Sequence, residues 1–151
     1  MAQSATTTRT TFSRTTSVST NINADPSIIW KLLTSAADYP RWNSSIISIN
    51  GSIAAGEKIK LIAAMAPKRT FKLKVKELLP QQRLVWGDSN GDRVFTLTNT
   101  GNGTVSFSMV EKIGGLMFPL YAKHIPSFDD SFNQFAADLK KEAELIQNVR
   151  K

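Results

Sequence analysis

The segment SFDDSFNQFAADLKKEAELIQN, residues 127–148, decides the architecture. Phe128, Phe132, Phe135, Leu139 and Ile146, with Ala136 and Ala143, recur at helical spacing, while Lys140, Lys141, Glu142 and Glu144 lie toward the other side. Ser127 with Asp130 three residues on resembles a capping box, with Asp in place of Glu. At about 1.5 Å per residue this helix spans roughly 30 Å. Its apolar stripe must be buried, and only a sheet of comparable width can cover it.

The region before it supplies that sheet. Ile46–Ile49, Glu57–Met65, Arg69–Leu79, Arg83–Gly87, Arg93–Asn99 and Thr104–Lys112 alternate apolar and polar residues, and turn signals separate them. Asn50-Gly51, Pro80-Gln-Gln82, Asp88-Ser-Asn-Gly91 and Gly101-Asn-Gly103 leave room only for tight connections, which imply antiparallel neighbours. Thr15–Asn23 reads as a first strand, with Thr16, Val18, Thr20 and Ile22 on one face. Asp25-Pro26 then starts a helix as N-cap and first-turn proline, and Tyr39–Trp42 predicts a second short helical turn. Pro119 and Pro126 break the lead-in to the long helix. The expected fold is α+β: a curved antiparallel sheet of about seven strands wrapped around a long C-terminal helix, with two short helices after the first strand. Residues 1–14 are expected to form a flexible tail and residues 15–148 a single domain.

Composition narrows the function classes. With no cysteine, disulfides and thiolate chemistry are excluded, and one histidine, His124, argues against a zinc site. No metal or cofactor is expected. No apolar window approaches the roughly 20 residues of a spanning helix, and residues 1–14 lack a secretory apolar run, so a cytoplasmic location is expected. The net charge of +7 is concentrated visibly in Lys68, Arg69, Lys72, Lys74 and Lys76. Along Arg69–Leu79 these lysines alternate with Leu73 and Val75. The alternation describes either a patch for nucleic acid or an anionic membrane or a solvated strand face, such as an edge kept apart from other sheets by its lysines. Without interleaved aromatics on that face, nucleic-acid binding is not expected.

The element order, together with Ile22-Asn-Ala-Asp-Pro-Ser-Ile-Ile-Trp30, Tyr39-Pro-Arg-Trp-Asn43, Gly56, Leu84-Val-Trp86 and Glu111-Lys-Ile-Gly-Gly-Leu-Met-Phe-Pro-Leu120, resembles the SRPBCC or START-like helix-grip superfamily. That superfamily includes START lipid-transfer domains, birch-pollen-allergen proteins and polyketide cyclase/dehydrase-like proteins. The likeness runs from about Thr16 to Glu144. It implies an internal cavity that binds or carries a small hydrophobic molecule such as a lipid, polyketide or aromatic compound.

Tyr39, Trp42, Phe71, Trp86, Phe95, Phe107, Met109, Phe128, Phe132 and Phe135 are the ligand-wall candidates. Their alternative role is to pack on one another. Catalysis of the cyclase or dehydratase type, without metal, is the second reading. It rests on Glu111, placed inward by its parity with Val105, Phe107 and Met109, and on Tyr121 and His124 in the proline-broken lead-in. A third reading, a protein-interaction module binding an acidic partner through the lysine face, follows chaperone ATPase activators of similar fold. Apolar residues in Leu116–Tyr121 suggest a homodimer. Binding is favoured over catalysis.

Overall fold

The structure, a computed structural model, describes residues 3–150. Eight strands form one sheet: β1 (Gln3–Arg9), β2 (Ser13–Ile22), β3 (Ile46–Asn50), β4 (Lys58–Ala63), β5 (Phe71–Leu79), β6 (Arg83–Gly87), β7 (Gly91–Gly101) and β8 (Thr104–Gly114). Their order is β1-β2-β8-β7-β6-β5-β4-β3, antiparallel throughout. Every sequential pair of strands is adjacent except β2 and β3, which sit six positions apart. Their connection must cross roughly 30 Å of sheet at about 4.8 Å per strand. It does so as helix α1 (Pro26–Thr34), a 3-10 turn (Ala36–Asp38) and helix α2 (Tyr39–Trp42). A further short helix, α3 (Phe118–Tyr121), and a 3-10 turn (Ala122–His124) precede the long helix α4 (Asp129–Arg150), which packs on β2, β1 and α1. This is the helix-grip α+β arrangement that the alternation pattern and terminal stripe imply.

Local chemistry sets the boundaries. The Asp25 carboxylate accepts from the Ser27 N–H and hydroxyl at 2.8 and 2.6 Å, with Pro26 in the first turn. The Ser27 hydroxyl, aided by that N–H, holds the Asp25 carboxyl below the usual range. Ser127 Oγ accepts from the Asp129 N–H at 3.3 Å at the start of α4. At the β7–β8 hairpin Asn102 and Gly103 adopt positive φ, as an Asn-Gly turn requires.

The strand count differs from expectation. Residues 3–9, read as tail, form edge strand β1 against β2. The Thr-rich composition suits extended backbone, but no apolar alternation announces it. Helix α4 anchors it instead: Asn133 Oδ1 accepts the Ala5 N–H at 2.7 Å, and the Thr7 hydroxyl donates to Asp129 at 2.6 Å. Met1 and Ala2, the rest of that tail's start, lie outside the described residues. The lysine-striped strand β5 is no edge either, since β4 and β6 flank it. Edge protection therefore does not explain its lysines.

Two further carboxylates are held in the charged form. The Arg41 guanidinium lowers the Asp38 pKa. Burial works against the Glu144 carboxylate, but the Asn23 N–H and the Lys140 ammonium outweigh it and keep its pKa low. A carboxylate whose folded pKa is depressed adds stability above its unfolded pKa, and that stability is lost as pH falls through the folded value. The urea midpoint should therefore hold from neutrality to about pH 4 and fall below it. An Asp38→Asn/Glu144→Gln variant should show a shallower acid limb; an unchanged limb would refute these two contributions.

Candidate functional site

The inner face of the sheet meets α4 in a continuous set of rings. Phe135 is the hub: its ring centroid lies 6.2 Å from Tyr39, 5.9 Å from Trp42, 5.7 Å from Phe95 and 6.3 Å from Phe107. Trp86 joins edge-on through Phe95 at 4.7 Å. Tyr39, Trp42, Trp86, Phe95, Phe107, Met109, Phe132 and Phe135 are all buried, whereas Phe71 and Phe128 are partly buried. Arginine guanidinium groups lie 4.6 Å from the ring centroids of those two, Arg69 over Phe71 and Arg14 over Phe128. The rings expected to wall a cavity thus pack on one another between sheet and helix. The Tyr39 hydroxyl donates to the Leu33 carbonyl at 2.7 Å, and burial pushes its pKa far above the ordinary phenol value.

The candidate catalytic residues occupy separate surroundings. Glu111 lies inward at the end of β8, but the Nε of Arg93, its cross-strand neighbour on β7, donates to it at 2.8 Å. The same guanidinium stands 4.9 Å from the Phe132 ring centroid. Tyr121 packs edge-on against Phe118, with ring centroids 5.6 Å apart, and His124 is exposed at the end of its 3-10 turn. Among the described residues no hydrogen bond or ion pair links Glu111, Tyr121 and His124. Arg93 was missed in the sequence, although its parity with Phe95 and Leu97 on β7 points it inward beside Glu111. In the lead-in, Phe118 is buried while Leu116, Met117 and Leu120 are exposed.

Two concavities stand out among the described residues, and the aromatic cluster lies in neither. One, of about 560 Å³, sits at the turn end of the sheet between Phe12, Gly115 and the Asp88–Asp92 turn. Its acids are engaged: Asp88 accepts the Asn90 and Gly91 N–H groups, and Asp92 pairs with Lys76. The other, of about 470 Å³, runs between α4 and the β1–β2 edge. Val18 and Ala136 provide a buried apolar floor, with Ala137 at the rim. Thr20 also lines it, and its Oγ1 is buried without a hydrogen-bond partner among the described residues. Lys140 donates to the Asn21 carbonyl and to Glu144, whereas no carboxylate among the described residues pairs with the exposed Lys141. The parity of β2 placed Thr20 inward with Val18, but nothing in the sequence shows that its covered hydroxyl is left without a partner. No group of three or more His, Asp or Glu side chains suited to a metal occurs among the described residues. No described helix is long and apolar enough to cross a membrane.

No family model and no curated protein matches the chain. Solved structures do match over most of its length. A START superfamily protein from Mycobacterium smegmatis superposes with a TM-score of 0.63 at 15% identity, covering 87% of this chain and 98% of the other. A Rhodobacter sphaeroides protein gives a TM-score of 0.68 at 15% identity over 94% and 99% of the two chains. A conserved protein of unknown function from Enterococcus faecalis gives 0.67 at 15% identity over 93% and 77%. With this strand order, these helices and these likenesses, the chain has an SRPBCC/START-like helix-grip fold.

Proposed function

We propose that the protein binds a small amphipathic molecule, an apolar body bearing a carboxylate or similar acidic group, in the groove between α4 and the β1–β2 edge. The unpartnered Thr20 hydroxyl carries this reading. A buried hydroxyl left without a partner costs about 1–3 kcal/mol, so a ligand that displaces the cover over Thr20 and bonds its hydroxyl recovers that cost. The groove volume of about 470 Å³ falls within the range of small-molecule sites. Val18 and Ala136 suit a lipid-like or aromatic body, and the free ammonium of Lys141 suits an acidic group at the rim. This keeps the hydrophobic ligand class expected from the sequence but assigns the ligand to the helix flank rather than to a space among the packed rings.

The test is a calorimetric and thermal-shift screen of fatty and aromatic carboxylic acids. Saturable binding should appear in the native protein and vanish in Ala137→Trp, which fills the groove from an exposed helix position. Thr20→Val should weaken the ligand about tenfold, the value of one lost hydrogen bond. In the ligand-free protein the same change should raise stability by about 1 kcal/mol, moving Tm upward by about 2–4 °C. Binding that survives Ala137→Trp, or a Thr20→Val variant that melts lower, would sink this reading.

A further inference from the structure

The outer face of β4 and β5 carries an arrangement that packing does not call for. The register sets Lys58 directly opposite Lys74 and Lys60 directly opposite Lys72. All four are exposed, and none makes an ion pair or hydrogen bond among the described residues. Directly opposed side chains stand about 5 Å apart across strands, and same-face neighbours about 7 Å apart along them. Like charges placed so are destabilising, and a single Glu at any of these positions would turn the cost into a gain. Nearby acids do not offset it: Glu77 pairs with Arg83, Asp92 pairs with Lys76, and Glu57 lies on the opposite parity. Lys68 is exposed in the β4–β5 connection, where the Arg69 guanidinium stands over the Phe71 ring instead.

We infer that this lysine grid is a docking surface for an anionic lipid bilayer. Three properties select that occupant. Both strands are internal, so no partner strand can add to them, and the partner must lie across a sheet face. That face offers lysine, the residue depleted at protein–protein contacts, where aromatic and apolar anchors dominate. It also lacks the aromatic platforms on which bases stack. A lysine keeps its hydration beside a charged headgroup, and each one near an anionic membrane contributes measurably without insertion. The grid is independent of the groove proposed above, and neither requires the other.

The experiment is vesicle co-sedimentation of the full chain with phosphatidylcholine alone and with phosphatidylcholine containing about 30% phosphatidylserine. The native protein should bind only the anionic vesicles and release them as salt rises from about 0.1 to 0.5 M. Lys58→Glu/Lys60→Glu should reduce that binding at least about fiftyfold. The same variant should melt at a higher temperature than the native protein, because each new acid faces Lys74 or Lys72. Opposite movement of the two readouts separates lost docking from lost folding. Absence of native binding at low salt, or binding retained by the double variant, would overturn the inference. So would tighter, variant-sensitive binding of poly-glutamate or single-stranded DNA than of the vesicles.

Discussion

Phe135→Ala is expected to destabilise the protein by about 3–5 kcal/mol, enough to remove much of the stability of an ordinary domain. The side chain is fully buried and lies within 6.3 Å, centroid to centroid, of four other rings that arrive from α2, β7 and β8. Deleting it removes transfer free energy and leaves a void that neighbours on three different elements cannot close by one movement. Urea denaturation should show a lower midpoint at an unchanged slope. A loss below about 1 kcal/mol would mean that the surrounding rings collapse into the space, and that Phe135 is no hub.

Arg93→Ala is expected to cost about 2–4 kcal/mol, because it leaves the Glu111 carboxylate without its partner at a site only 17% exposed. It also removes the cation from the Phe132 ring. The Arg93→Met/Glu111→Leu double variant should recover most of that loss, since an apolar pair needs no desolvation of charge. Urea midpoints of Arg93→Met, Glu111→Leu and the double would measure the coupling. Additive losses would show that the 2.8 Å contact contributes little. A strong coupling would assign Glu111 a structural task, in keeping with its distance in role from Tyr121 and His124.

Several features were open to reading because they rest on neighbours in sequence. The cap of α1 uses Asp25, Pro26 and Ser27, all within one turn, so side-chain chemistry alone predicts it. The alternation of β7 and β8 survives intact, and Phe95, Leu97, Val105, Phe107 and Met109 are buried as their parity requires. The pattern of β5 fails halfway. Its pairing with β6 slips between Val75 and Glu77, so a bulge at Lys76 turns Leu78, rather than Leu79, toward buried Leu84. Periodicity cannot show such a slip, because it depends on the partner strand.

By itself the sequence determined the element order, the antiparallel sheet, the inward faces and the helix that must cover them, since periodicity and turn chemistry are local properties of the chain. Tertiary structure alone decided three things. It recruited the Thr-rich residues 3–9 as an edge strand, through hydrogen bonds that Ala5 and Thr7 donate to Asn133 and Asp129, more than 120 positions away. It packed Tyr39, Trp42, Phe95 and Phe107 around Phe135, contacts between residues far apart in the chain that no local pattern encodes. It set Lys58 against Lys74 and Lys60 against Lys72, because register belongs to two strands at once.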